Sequence, residues 1–259
     1  MMKTKAASYI LTPYFLDQIK EELLELARNS WKIVKIDLGP GKKQERMVQI
    51  YSALRDSVAQ EVRAGTVPVG VAGDCCSTIG FLAGLQAAGL DPTLIWFDAH
   101  GDFNTWETTP SGFLGGMPLA MLVGRGEQLM PQGVGLKILP EDNVVLTDAR
   151  DLDPGERDNL LSSAVKHYPD VETLLTAPLP EGPIWIHFDV DVINTGELPA
   201  VGYPAEGGPA ASTVRAVFRR LAVSGQIAAV SLSSWNSELD HDGRSRELSM
   251  ELVSVLAGG

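Results

Sequence analysis

The run Leu94-Ile95-Trp96-Phe97 is apolar without interruption and then breaks into Asp98-Ala99-His100-Gly101-Asp102. A short, wholly apolar run reads as a strand buried on both faces. On a strand, alternate side chains share a face. Asp98, His100 and Asp102 are therefore expected to converge at the strand's carboxyl end, where open α/β sheets hold their sites. Two carboxylates and an imidazole on one face point to a metal ion. A second segment, Ile184-Trp185-Ile186-His187-Phe188-Asp189-Val190-Asp191, ends in the same way.

Other strand-like runs are Val34 to Leu38, Pro68 to Ala72, Asn143 to Thr147, Val171 to Leu175 and Ile227 to Leu232. Helical patterns cover Lys42 to Arg63, Ser77 to Ala88, Leu114 to Val123, Pro154 to Lys166, Ala211 to Ala222 and Arg246 to Leu256. Apolar strands spaced by helices predict a mainly parallel sheet covered on both faces. The 259 residues, 44% of them apolar, suit one large domain spanning 1–259. We therefore expect a three-layer αβα sandwich with an eight-stranded sheet. The polar, Gly-rich stretches Phe103 to Gly116 and Asn194 to Pro209 follow strands and read as site-forming loops.

Composition restricts the partners. A net charge of -12 argues against a nucleic-acid backbone and against an anionic membrane surface, but not against a cationic small substrate. No run of about twenty apolar residues is present, so no membrane span is expected. The first residues, MMKTKAASYILTPYFL, lack the long apolar stretch of a signal peptide. The only two cysteines, Cys75 and Cys76, are adjacent and unsuited to an ordinary structural disulfide, which suits a cytoplasmic setting.

An Asp at a strand end is often only a turn or helix cap. Asp98, His100, Asp102, Asp189 and Asp191, at period two on two strands, are poorly explained that way. Unpaired, these carboxylates would repel and raise one another's pKa. Two such strand ends suit a pair of metals that clamp and activate a water. Oxygen-rich ligation with limited imidazole suits Mn²⁺. Cys75 follows a third strand, where it reads either as a thiolate ligand or as an inert apolar residue. His187 reads either as a group hydrogen-bonded to a metal ligand or as a core histidine.

Four segments together resemble the ureohydrolase family, that is arginase, agmatinase and their relatives. They are residues 98–116 (DAHGDFNTWETTPSGFLGG), 186–193 (IHFDVDVI), 147–156 (TDARDLDPGE) and 72–80 (AGDCCSTIG). The likeness runs from about Val67 to Ser237. It implies an arginase-like fold, two Mn²⁺ and a homo-oligomer. By the resemblance, Asp98 and Asp189 bridge the ions, and His100 and Asp191 complete one of them. Asp102 binds the other ion and aligns the attacking hydroxide. Cys75 stands where the family has a histidine ligand. Asn104, Ser111 and Asp153 match contacts to the amino-acid end of the substrate. As alternatives, Asn104 and Ser111 read as turn residues, and Asp153 as the cap of a helix opened by Pro154.

Two positions depart from arginase. Gly115 stands where the family's proton-shuttling histidine would be, and Ser234 where its guanidinium-binding glutamate would be. His187 or His241 is a candidate replacement for the shuttle, and Glu238 or Asp240 for the anchor. With Cys75, the GDFNTxETT segment and His187, the chain looks closer to the hydroxyarginine hydrolases. The resemblance implies a metal-dependent hydrolase of linear amidines or guanidines, acting on an arginine or hydroxyarginine type of amino acid. A formimino or other C–N hydrolase of the same fold, and a non-catalytic metal-binding member, are the alternatives.

Overall fold

The computed structural model describes residues 5–258. Eight strands form one sheet: β1 (Ala7–Thr12), β2 (Lys32–Ile33), β3 (Val67–Ala72), β4 (Thr93–His100), β5 (Val144–Asp151), β6 (Lys166–Tyr168), β7 (Ile184–Asp189) and β8 (Ile227–Ser233). Their order is β2-β1-β3-β8-β7-β4-β5-β6, and every neighbouring pair is parallel. Tyr14–Phe15 and Gln18–Ile19 add a small antiparallel ladder.

Side-chain alternation sorts the sheet into two cores. Leu94, Trp96 and Trp185 pack with α1 (Lys43–Arg63) and α2 (Thr78–Ala87). Ile95, Phe97, Ile186 and Phe188 pack on the other face. There Phe218 and Leu252 come from the helices Ala211–Val223 and Arg244–Ala257. Continuing the alternation past Trp96 and Trp185 brings Asp98 and Asp189 out on the α1/α2 face. Cys75 lies on that face too, just ahead of α2. Strands β3, β8, β7 and β4 are consecutive in the sheet, so their carboxyl ends share one rim.

Helix α2 is apolar nearly all round and sandwiched between sheet and α1. Its glycines make this close approach possible. A Cβ at Gly80 would lie 2.7 Å from Tyr51 O, and one at Gly84 2.7 Å from Arg55 O.

Several element assignments need correction. Val34 to Leu38 is not a strand: the pairing residues are Lys32–Ile33, and beyond them Tyr14 Oη holds both Ile36 N and Ile36 O. Val171–Leu175 is a 3-10 turn, with Val171 and Leu174 buried at a spacing of three rather than two. The Pro154 helix ends at Leu161, and Lys166 opens the edge strand β6 instead of closing the helix. The Leu114 to Val123 region divides at Pro118 into a 3-10 turn and a short helix. Strand β1, absent from the expected elements, lies in the segment weighed only as a leader.

The α1–α2 contact predicts that Gly80→Ala destabilises the protein by about 1–3 kcal/mol through overpacking. This holds although alanine favours an isolated helix by about 1 kcal/mol. Denaturant midpoints report the sign, and a stabilised variant would contradict the packing.

Candidate metal centre

The carboxyl ends of β3, β7 and β4 bring three overlapping sets of ligand atoms together. They are Cys75 with Asp98 and Asp102, Asp98 with His100 and Asp191, and Cys75 with His187 and Asp189. Within each set the ligand atoms lie within 4.8 Å of one another. Local backbone produces the convergence. The β4–β5 register shifts between Asp98 and His100, a bulge that re-aims the strand end. Asp102 follows with φ 49° and Ser234 has φ 72°, left-handed conformations of the kind held at functional sites.

Backbone donors orient the acids. Asp98 Oδ1 accepts from His100 N at 2.7 Å, and Asp191 Oδ1 from Ala99 N at 3.1 Å. Asp189 Oδ1 accepts from Asp191 N at 2.9 Å. Trp96 Nε1 donates to Asp98 Oδ2 at 3.0 Å. His100 Nδ1 lies 3.0 Å from Asp191 Oδ2 and 3.4 Å from Asp98 Oδ1. The Cys75 thiol donates to Asp189 Oδ2 at 2.8 Å, and the hydroxyl of Ser234 donates to the same oxygen. Asp102 Oδ2 is buried and has no hydrogen-bond partner.

Burial and like charge raise the acids together. Burial, then Asp98 and Asp189, push Asp102 well above the carboxylate range. Burial and Asp191 push Asp189 up to about 8. Asp98 and Asp191 are raised as well. Burial alone would lower His100, but its bonds to Asp191 and Asp98 and their charges push it up to about 12. Burial also holds the Cys75 thiol well above its usual range. A crowded set of buried acids, one with an unpartnered oxygen, fits divalent cations. The donors are mostly hard oxygens with one imidazole and one softer sulfur.

The acids and Cys75 face a cavity of about 180 Å³ that also exposes Asn104, Ser111 and Asp153. Asn104 Nδ2 donates to Asp153 Oδ2 at 2.9 Å, and Asn104 Oδ1 accepts from Thr108 Oγ1 at 3.0 Å. Asp153 is also the N-cap of the Pro154 helix, with Asp153 N donating to Glu156 Oε2 at 3.2 Å. Ser111 Oγ accepts from Phe113 N at 3.2 Å. The turn and cap readings of these residues therefore hold alongside their place on the cavity wall. Gly115 lies on the wall as well, and the ring of Phe113 fills its side-chain space, 2.3 Å from where a Cβ would stand.

Two candidate residues do not reach the cavity. Glu238 turns outward into an adjoining pocket and accepts from Lys20 Nζ at 2.8 Å, because the Ser237–Leu239 turn points it away from Ser234. His187 is fully buried behind Cys75, its ring 3.9 Å from that of Trp96. Burial pushes it down to about 3, which favours the neutral ring.

Sequence reasoning missed Glu156, Phe15, Phe113 and Tyr203. Glu156 Oε1 accepts from Phe103 N at 2.8 Å and fixes the loop after Asp102. Its position three residues after Asp153 was the available signal. The three aromatics carry no motif.

Known proteins agree with this geometry. The model of the arginase family matches residues 7–258, and the chain belongs to that family. It is 33% identical over 236 residues to an arginase of Bacillus subtilis, covering 84% of this chain and 79% of that one. It is 31% identical over 206 residues to an N(omega)-hydroxy-L-arginine amidinohydrolase of Streptomyces lavendulae, covering 78% and 73%. The crystal structure of Bacillus subtilis arginase superposes with a TM-score of 0.82 at 28% identity, covering 98% of this chain and 99% of that one. Among the described residues no helix is long and apolar enough to cross a membrane.

The raised acids predict a pH dependence for the metal-free protein. Asp189 at about 8, against an ordinary value of about 4, keeps a proton in the folded state that the unfolded chain has lost. Its stabilising effect is complete below pH ~4 and is lost as pH rises through about 8. Glu156, pushed up to about 7 by burial, acts with the same sign. In chelator, Tm falls between pH 5.5 and pH 8.5 (roughly the window between the unfolded and folded values). Added Mn²⁺ restores more stability at the higher pH, where ligands deprotonate more easily. A Tm that rises with pH in chelator would contradict this electrostatic account.

Proposed function

We propose that the chain is a dinuclear-metal amidinohydrolase. It acts on an arginine-like amino acid, of the arginine or hydroxyarginine type, and releases urea or a urea derivative. The observation that carries the reading is the convergence of Asp98, His100, Asp102, Asp189, Asp191 and Cys75 on one cavity wall. The family match and the likeness to arginases and to a hydroxyarginine amidinohydrolase support it. Asp98, His100 and Asp191 would hold one ion, and Cys75, Asp98, Asp102 and Asp189 the other. We assign Mn²⁺ on the oxygen-rich donor set, with the sulfur of Cys75 as its one soft member. Two such ions supply the Lewis acidity that makes water nucleophilic near neutral pH.

The chain's own groups do the rest. The carboxylate of Asp102 accepts the proton of the attacking water and passes it to the departing amine, general acid–base work done by one side chain. Asn104, Ser111 and Asp153 orient the amino-acid end. His187 serves from behind. Trp185 Nε1 donates to Ser231 Oγ at 3.0 Å, and His187 Nδ1 lies 2.9 Å from that oxygen. With the Ser231 hydroxyl donating to Nδ1, the imidazole carries its proton on Nε2, 3.4 Å from Cys75 Sγ. That N–H steadies the sulfur as a ligand, as outer partners of metal ligands do. The two buried free cysteines support a cytoplasmic enzyme, and the family resemblance a homo-oligomer.

The outward turn of Glu238 and the loss of a carboxylate at Ser234 favour a second reading, hydrolysis of a formimino or similar C–N bond. A serine gives a guanidinium no bidentate partner. Assay of arginine, hydroxyarginine, agmatine and formiminoglutamate separates the two. Urea or hydroxyurea from the arginine type is the expected product, and ammonia from formiminoglutamate alone would establish the second reading instead.

Asp102→Asn is expected to lower kcat about 100-fold or more. A variant with undiminished kcat would remove Asp102 from the proton path.

A further inference from the structure

The metal-facing cavity does not end at Ser234. A second pocket, of about 330 Å³, adjoins it, and Phe15, Tyr203 and Ser234 form walls of both. Small-molecule sites commonly measure about 300–1,000 Å³. The metal-facing cavity alone falls short of that range, and the two together fall inside it. Ser234 stands where they meet. Its hydroxyl is drawn onto Asp189 Oδ2, so its short side chain is held against the metal wall.

Three polar side chains of the second pocket are engaged with other side chains. Lys20 Nζ donates to Glu238 Oε1, and Trp235 Nε1 donates to Asp240 Oδ2 at 2.8 Å. The apolar surface it offers a guest comprises the rings of Phe15 and Tyr203 and the side chain of Leu23. Phe113 joins the two rings into one aromatic wall, with centroids 6.3 Å from Phe15 and 5.0 Å from Tyr203. A charged guest would have to separate the Lys20–Glu238 pair, whereas a neutral apolar one meets no cost of that kind.

We propose that this pocket receives a substituent on the substrate's terminal nitrogen. The substrates it selects are guanidines or amidines carrying a neutral alkyl or aryl group, lodged past Ser234 between Phe15 and Tyr203. The inference rests on the amidinohydrolase reading. For a guanidine, one water adds to the central carbon and the bond from that carbon to the amino acid's side-chain nitrogen breaks. That nitrogen leaves as an ammonium, taking up the two protons of the water. The carbon keeps the water's oxygen, the unsubstituted nitrogen and the substituted nitrogen, and leaves as a substituted urea.

Gly202 provides the test. It lines the second pocket and not the metal-facing one, and a Cβ there would have its nearest neighbour, Asn236 Nδ2, at 4.0 Å. Gly202→Leu therefore fills the pocket without crowding the backbone. Calorimetry and turnover are measured on the Mn²⁺-loaded protein with arginine and its terminal N-methyl, N-propyl and N-phenyl derivatives. Wild type is expected to bind the propyl compound about 15-fold more tightly than the methyl one, from roughly fourfold for each of two buried methylenes. Gly202→Leu abolishes that gain and leaves the affinity for arginine within about twofold, well under one methylene's worth. A flat series in wild type, or an equal loss for arginine and its derivatives, would overturn the proposal. A graded series that binds without urea release supports the pocket and contradicts the hydrolytic reading. No binding by any member overturns both.

Discussion

Four carboxylates that repel one another, Asp98, Asp102, Asp189 and Asp191, are buried together at the rim of a parallel sheet. The rest of the site depends on how that repulsion is relieved. Without cations the chain relieves it by holding protons, with Asp189 pushed up to about 8, and by drawing the charge of His100 against Asp98 and Asp191. Cations would relieve it more completely, and one buried oxygen of Asp102 has no hydrogen-bond partner of its own. The sheet delivers the acids because β7 and β4 are parallel neighbours with in-register apolar cores. Residues that alternate into the α1/α2 core below therefore continue as ligands above it.

The departures from arginase share one wall and are linked. Cys75 is shorter than the histidine it replaces, and the imidazole of His187 lies directly behind its sulfur. Gly115 leaves room for the ring of Phe113, which joins an aromatic wall with Tyr203. Ser234 is small and held against Asp189, and it lines both the cavity and the adjoining pocket. The metal-facing acids are unchanged by these exchanges.

Much of this was legible in the sequence, for a physical reason. Strand alternation, a local rule, places Asp98 and Asp189, whereas His100 follows a bulge, Asp102 a left-handed turn and Asp191 a 3-10 turn that spacing alone does not give. The buried strands β3, β4, β7 and β8 were legible because both faces are covered and the runs are unbroken. What failed depends on non-local contacts. Glu238 lies close to Ser234 in sequence, but its direction is set by Lys20, 218 residues away. His187 shares the period of the ligands, but the Trp96 ring and β8 hold it below the cavity. Val171–Leu175 has the composition of a strand, and its burial at a spacing of three comes from what packs over it. The aromatic wall of Phe15, Phe113 and Tyr203 joins three separate loops, so no spacing rule reveals it.

Metal content tests the central claim most directly. The purified protein is stripped with chelator, loaded with Mn²⁺ and passed through a desalting column, and metal per chain is then determined by elemental analysis. The account predicts two ions per chain in wild type and a loss of metal in Asp189→Asn, which removes a carboxylate ligand. A wild-type chain that retains no metal would contradict it.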